Sequence, residues 1–540
     1  MREAIFEMDD CGPASCVEVE QGKEQAKPPP TKSYGMMADM DSLHGIMMRL
    51  DEPRHLWLCA QVCRSWGDAT VSEDLWRNVF YIKFGDAARA IVEDMRAYEG
   101  LSFRQLCARA ESTVVLAWGQ GCSSMQESSG APRCPTLVGG GGMRSNYVQQ
   151  VSVGHEFTCA CTWSGQVLCW GSNSFGQCGV APSVASFVPE PLPVELLGSV
   201  EEEGDALVAQ VSCGFAHIAA VSCSGKVLCW GSNEHGQLGV SKEALWGYGG
   251  GGVHRQSISA APLQVMLPHP APRFRKVCCG SEHTGGLTEE GVVFMWGSND
   301  QGQCGYTEHR MELGEEEAVD RWEPRVLEEL LGKRVLDLAL GARFSLLLTE
   351  DSLLSCGSNT FGQLGRSTPQ YLDPCPGKVE LSTEQAMGQE EGRTRVCSMC
   401  CGDDHALCYM SDGSVWAWGR GTQAALGMGG QQKNTSRPQV ISTPLGKKIL
   451  LLAAGGSSSG AISSSLQGTG VEQYNCLYTW GANRKGELGH GDLTKKTVPK
   501  VVKGVSRSAS LFLLDLGNTH SVALAEWRRQ TPARRVSDAG

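Results

Sequence analysis

The sequence predicts a mainly β chain: a seven-bladed β-propeller preceded by a small all-α module. Three observations predict it. A Trp-Gly step recurs at Trp118, Trp170, Trp230, Trp296, Trp418 and Trp480, and "LLSCGSN" places Cys356 in the one gap. Seven copies therefore follow one another at intervals of 52 to 66 residues. Glycine supplies 67 of 540 residues, about 12% against a typical 7%, with no collagen period, which points to many tight turns. Finally, one copy of the repeat is divided between the two ends of the repeat region.

The elements follow in order. Residues 1–39 are polar, carry "KPPP" at 27–30, and are expected to be a disordered arm. In residues 40–84, Leu43, Ile46, Met47 and Leu50 form one apolar stripe of a helix, which Pro53 ends. A second helical pattern carries Leu56, Ala60, Val62 and Cys63 up to Trp66. Ser72 is a candidate N-cap with Glu73 and Asp74 in the first turn, opening a third helix with Leu75 and Trp76. Three short helices are too small for a core of their own, so this module needs a partner or a neighbouring domain. Residues 85–110 are expected to form a rigid connector. One helix runs over 86–98 from Asp86, and another over 102–109, where Ser102 and Gln105 make a capping box.

Residues 111–526 hold the repeat. Each full unit opens with a Gly-x-x-His element leading a strand, as in "GFAHIAAV" at 214, "GSEHTGGL" at 280 and "GDDHALCY" at 402. A short turn such as "CSGK", "TEEG" or "SDGS" suits a β-hairpin. A β-rich run into Trp-Gly follows, then "SNxxGQLG" and a Pro leading another apolar strand. One unit is thus about four antiparallel strands that cannot bury both faces alone, and seven packed radially close a ring. The first copy, "TVVLAWGQG", lacks its Gly-x-x-His strand, while "LLDLGNTHSVALAE" at 513–526 is that strand without a Trp-Gly after it. The two halves are expected to share a blade and lock the ring. Residues 527–540, "WRRQTPARRVSDAG", are the only compact basic run, read as a disordered tail or as a weak nuclear-import or phosphorylation element around Ser537.

This repeat resembles that of the regulator of chromosome condensation family of seven-bladed propellers, over roughly residues 111–526. One class of that family exchanges guanine nucleotide on a small GTPase and docks on chromatin. Another is a plant ultraviolet-B receptor with Gly-Trp-Arg-His-Thr repeats. Here the corresponding repeats read GFAHI, GSEHT, GARFS, GDDHA and GNTHS, without Trp, which argues against photoreception. The module at 40–84 resembles an F-box through "L..IM.RL", "L.LCAQVCRSW" and "DLWRNVF" in order and spacing, with "DMDSL" where the usual Leu-Pro stands. The resemblance implies docking on the Skp-type adaptor of a cullin–RING ubiquitin ligase. The adaptor-facing set it implies is Leu43, Ile46, Leu50, Leu56, Val62, Cys63, Trp66, Leu75 and Trp76. The alternative is that this stripe packs on the propeller or on the helices of 86–110.

Charge and chemistry narrow the function. A net charge of −12 and a pI near 5.6 argue against the basic field that phosphate binding needs, so no nucleic-acid partner is expected. No apolar run approaches the ~20 residues of a membrane span, and the first residues lack an apolar signal core. A soluble chain of the cytoplasm and/or nucleus with reduced thiols is expected, with no membrane partner. Cys169, Cys229, Cys178 and Cys304 then read as small buried hydrophobes. "CSMCCG", with Cys397, Cys400 and Cys401, has no second CxxC or HxxxH to complete a zinc site, so core packing is expected and no metal. His217, His283, His405 and His520 recur at one place in different blades, which suits hydrogen bonding within the fold. No phosphate loop, nucleophile elbow or paired-acid signature is present, so no catalytic residue and no cofactor is expected.

The repeat also locates a candidate target-binding rim. Gly427 to Pro438 takes 11 residues, whereas Gly239 to Pro262 takes 23 and Gly305 to Pro324 takes 19. These neighbouring insertions should share one rim. They carry Trp246, Tyr248, His254 and Arg255 on one, and Arg321 and Trp322 on the other, a residue choice that suits a protein-binding hot spot. Plain floppy insertions are the alternative, consistent with "GYGGGG" at 247–252. The expected function is a non-catalytic, substrate-recruiting subunit of a Skp–cullin–F-box ubiquitin ligase, its propeller face binding an unidentified protein target. Regulation of a small GTPase and a non-enzymatic scaffold are the other readings.

Overall fold

Among the residues described by a computed structural model, twenty-eight strands form seven antiparallel sheets of four strands each. The structure describes residues 72–94, 101–120, 134–138, 147–196, 206–241, 257–267, 270–306, 321–368, 370–381, 394–430, 432–442, 445, 448–465, 474–503, 505 and 509–527. Blades 1 to 6 span 148–193, 208–264, 274–326, 335–378, 396–440 and 448–501. Blade 7 joins 509–527 to 113–137. The expected closure is observed: His520 pairs with Gly119 and Glu526 with Thr113, so the inner half of blade 7 comes from the C-terminal end and the outer half from the N-terminal side.

Within a blade the first strand lies at the axis and touches the first strands of both neighbouring blades. The second and third strands are buried on both faces, as in Phe157–Thr162 and Val227–Ser232. They read as continuous apolar runs because a sheet stacks on each side of them. The fourth strand is an open edge and carries a proline in each of blades 1 to 6, for example Pro324, Pro438 and Pro499. Proline there blunts the edge against stray pairing.

The Trp-Gly signature has a specific cause. The glycine after the tryptophan takes a φ of +98° to +109°, a region that favours glycine. A Cβ on Gly171 would also stand 2.4 Å from the Glu156 carbonyl oxygen. The tryptophan staples one blade to the previous one. Trp230, Trp296, Trp418, Trp480 and Trp118 each donate their indole N–H to a carbonyl of the preceding blade's "GQLG"-type turn, at 2.8 to 3.0 Å. In blade 4, Cys356 keeps the contact with its Sγ 3.8 Å from the Gln303 carbonyl. Trp170 Nε1 is buried without a partner among the described residues. Its preceding blade is the closing one, whose sequence after Gly119 lacks "GQLG".

The repeated histidines form a second ring of staples. Nε2 of His217, His283, His405 and His520 meets a hydroxyl of the next blade: Thr284, Ser345, Ser459 and Thr158, at 2.7 to 3.1 Å. Burial pushes His217 and His283 down to about 3, and His405 and His520 to about 4. They are neutral structural groups. Cys169, Cys178, Cys229 and Cys304 are buried as expected. Of the "CSMCCG" cysteines, however, Cys400 and Cys401 are half-buried, lining the cavity on the axis, and Cys397 is exposed at the bulge near the start of that inner strand.

Candidate protein-interaction site

Among the described residues, two helices ahead of the first propeller strand sit against the propeller. Helix α1 (Glu73–Asp94) begins with Glu73 and Asp74, whose charges favour a helix N-terminus. Gly85, at φ 72° and ψ −160°, is non-helical and divides this span into two helical segments meeting at a kink, which is the expected boundary before Asp86. Helix α2 (Phe103–Ser112) has the expected capping box: the Gln105 N–H donates to Ser102 Oγ at 3.2 Å, and the Ser102 N–H to Gln105 Oε1 at 2.8 Å. Glu73 Oε1 also accepts the Phe103 N–H, tying the two helix starts together. Helix α2 ends at Ser112, and the first propeller strand begins at Thr113. No linker separates them.

The helices share one apolar core with the propeller. Leu75, Trp76, Val79, Phe80, Phe84, Ala88 and Ile91 of α1 and Leu106, Cys107 and Ala110 of α2 cluster with Trp163, from the hairpin turn of blade 1. Phe80 meets the Trp163 ring edge-on at 5.2 Å, a favoured aromatic geometry. Burial pushes the Cys107 thiol up to about 12, so it is a core group and not a nucleophile. Polar contacts frame the cluster. Arg109 pairs with Glu526 of the closing blade at 2.6 Å and lies over the Phe512 ring at 4.6 Å. Lys83 pairs with Glu111 at 3.2 Å and covers Tyr147 at 4.7 Å.

Two of the expected adaptor-facing set fall on described residues. Leu75 and Trp76 are 0% and 1% exposed inside the cluster, the packing that stands as the alternative to an adaptor contact. Leu43, Ile46, Leu50, Leu56, Val62, Cys63 and Trp66 lie outside the described residues. On the rim, Trp246, Tyr248, His254 and Arg255 also lie outside them. Arg321 opens the outer strand of blade 3 and Trp322 is half-buried within it, so they belong to a strand and not to the loop. Sequence reasoning missed Trp163 as the propeller's contact with the helices, since it stands outside every repeated motif.

The two faces of the ring differ. Helix α1 lies on the face formed by the hairpin turns, against Trp163 and beside Leu207 and Gly165. The insertions of blades 2 and 3 leave at Ser241 and Tyr306, from the connections between third and fourth strands, which belong to the opposite face with the Gly-x-x-His loops. On the axis is a cavity of about 230 Å³ lined by Asp403, Asp515 and Lys276 among others. Burial pushes both aspartates up to about 6. Burial opposes the charge on Lys276, but Asp337 at 2.5 Å outweighs it and holds the amine above its usual range. Among the described residues no cluster of His, Cys, Asp and Glu could hold a metal, and no helix is long and apolar enough to cross a membrane.

Comparison with known proteins agrees with this geometry. An RCC1-like domain family model matches residues 106–459, a regulator of chromosome condensation (RCC1) repeat matches 474–524, and an F-box-like model matches 41–82. The E3 ubiquitin-protein ligase HERC2 of Homo sapiens is 27% identical over 82% of this chain, a stretch that spans 8% of that protein's length. The ultraviolet-B receptor UVR8 of Arabidopsis thaliana is 26% identical over 73% of this chain and 78% of the receptor. Among solved structures, Prp20p of Saccharomyces cerevisiae has a TM-score of 0.63 at 21% identity, covering 78% of this chain and 93% of that one. Human WBSCR16 has a TM-score of 0.60 at 22% identity, covering 77% and 100%. These structural likenesses carry the fold alone. The chain belongs to the RCC1-like domain family, with an F-box-like domain ahead of its propeller.

Proposed function

We propose that this chain is a substrate-recruiting, non-catalytic subunit of a Skp–cullin–F-box ubiquitin ligase. The observation that carries the reading is the join between its two parts. The F-box-like match ends at residue 82, inside α1, and α1 and α2 are packed into the propeller with no linker. A ligase subunit must hold its target at a set distance from the transferring enzyme, and a continuous apolar core supports that where a flexible tether would not. In this reading Leu43, Ile46, Leu50, Leu56, Val62, Cys63 and Trp66 meet the Skp-type adaptor. The face opposite the helices, with its two long insertions, takes the target protein. The test is co-purification of a Skp-type adaptor and a cullin with the full chain. Retention that is lost in a Leu56→Asp, Trp66→Ala variant supports the reading. Failure of the intact chain to retain the adaptor removes it and makes nucleotide exchange on a small GTPase the next assay.

A further inference from the structure

Blades 5 and 6 break the acidic character of the molecule. Residues 430–510 hold eleven Lys and Arg against three Asp and Glu, in a chain of net charge −12. They are scattered in sequence, which hides them beside the compact tail at 527–540, but the ring sets Lys433 and Arg437 of blade 5 beside Lys495, Lys496 and Lys500 of blade 6. The Gly429 N–H of blade 5 donates to the Thr497 carbonyl of blade 6 at 2.9 Å. That bond sets the blade 5 loop carrying Lys433 beside the outer strand Lys496–Val501 of blade 6.

The cations of this ridge are largely uncompensated. Arg437 pairs with Glu380 at 3.0 Å and Lys496 with Asp492 at 2.7 Å. Lys433, Lys495, Lys500 and Lys503 are exposed, with no ion-pair partner among the described residues. Apolar side chains are interleaved with them: Val440, Val498 and Val501 are 45%, 39% and 37% exposed. Edge protection does not explain the concentration. The outer strands Phe187–Pro193 and Ile258–Gln264 hold no Lys or Arg and have proline at the same edge.

We infer that the outer wall of blades 5 and 6 is a docking surface for an acidic protein segment bearing aliphatic side chains. Charge complementarity would steer such a segment, and the exposed valines supply the apolar contact that charge alone lacks. A nucleic acid fits less well. The exposed side chains of this wall among the described residues include no aromatic on which a base could stack. The surface is independent of the ligase reading.

The test measures binding of a labelled peptide of Glu and Leu to the full chain at physiological salt, against a Gln and Leu peptide of equal length. A Lys433→Glu, Lys500→Glu, Lys503→Glu variant with unchanged thermal melting should bind the acidic peptide about tenfold or more weakly. A Lys500→Gln, Lys503→Gln variant should fall between the two, and it decides the matter if the triple variant does not fold. Equal binding by wild type and variants overturns the inference. So does preferential retention of duplex DNA or anionic vesicles through these lysines. A concentration-dependent dimer that the charge reversals dissolve also overturns it, because a second copy of this chain is then the occupant.

Discussion

Single residues carry the blade-to-blade staples, and their chemistry sets how stability responds to mutation and pH. Trp230→Phe removes an indole that donates to the Gln177 carbonyl at 3.0 Å, whereas Trp170→Phe removes one with no partner among the described residues. Both lose volume, so the former should cost about 1–2 kcal/mol more in urea unfolding. The buried histidines have pKa values of about 3 to 4 in the fold against 6.5 outside it. The unfolded chain therefore binds protons that the folded one refuses, and stability falls as pH drops from about 6.5 towards 4. Asp403 and Asp515, raised to about 6, act in the opposite sense. Their contribution is full below 3.8 and lost as pH rises through 6. Four groups against two leave a net loss on acidification. In His283→Phe the acid-side slope should be shallower by about 1.4 kcal/mol per pH unit, and unfolding curves at pH 7, 6 and 5 check it. The substitution is tolerable in kind, since Phe157 and Phe344 already occupy that place in blades 1 and 4.

At the scale of elements, the two helices and the propeller should part when their shared core is cut. Phe80→Ala deletes a ring buried against Trp163, Phe84 and Phe103. It should cost about 3–5 kcal/mol locally. Hydrogen exchange across 73–112 should rise while blades 2 to 6 keep their protection. An unchanged exchange pattern would contradict the continuous core. Much of this region was legible in the sequence. The Ser102–Gln105 box and the break before Asp86 depend only on local backbone needs. The fate of Leu75 and Trp76 was not legible, because an apolar helical stripe has the same spacing whether it faces an adaptor or a propeller. The spacing to Pro324 assigns Arg321 and Trp322 to a loop because the proline marks the strand, while pairing begins earlier, at Arg321 opposite Gly297.

For the whole molecule, the Trp-Gly period exposed the ring because every blade solves the same stapling problem with the same residues. What the period cannot reveal is anything assembled between blades from non-repeated positions, such as Trp163 against the helices or the lysines of blades 5 and 6. Closure is the ring's most exposed dependence. Removing residues 509–540 deletes the two inner strands of blade 7, and the truncated chain should lose its cooperative thermal transition. A retained transition of unchanged midpoint would contradict the shared blade. The central claim, that this propeller is held to a ubiquitin ligase by its F-box-like head, is tested most directly by titrating a purified Skp-type adaptor into the full chain in a calorimeter. The expected result is saturable one-to-one binding that Leu56→Asp, Trp66→Ala abolishes with the propeller's melting unchanged. No heat of binding from the intact, folded chain would contradict it.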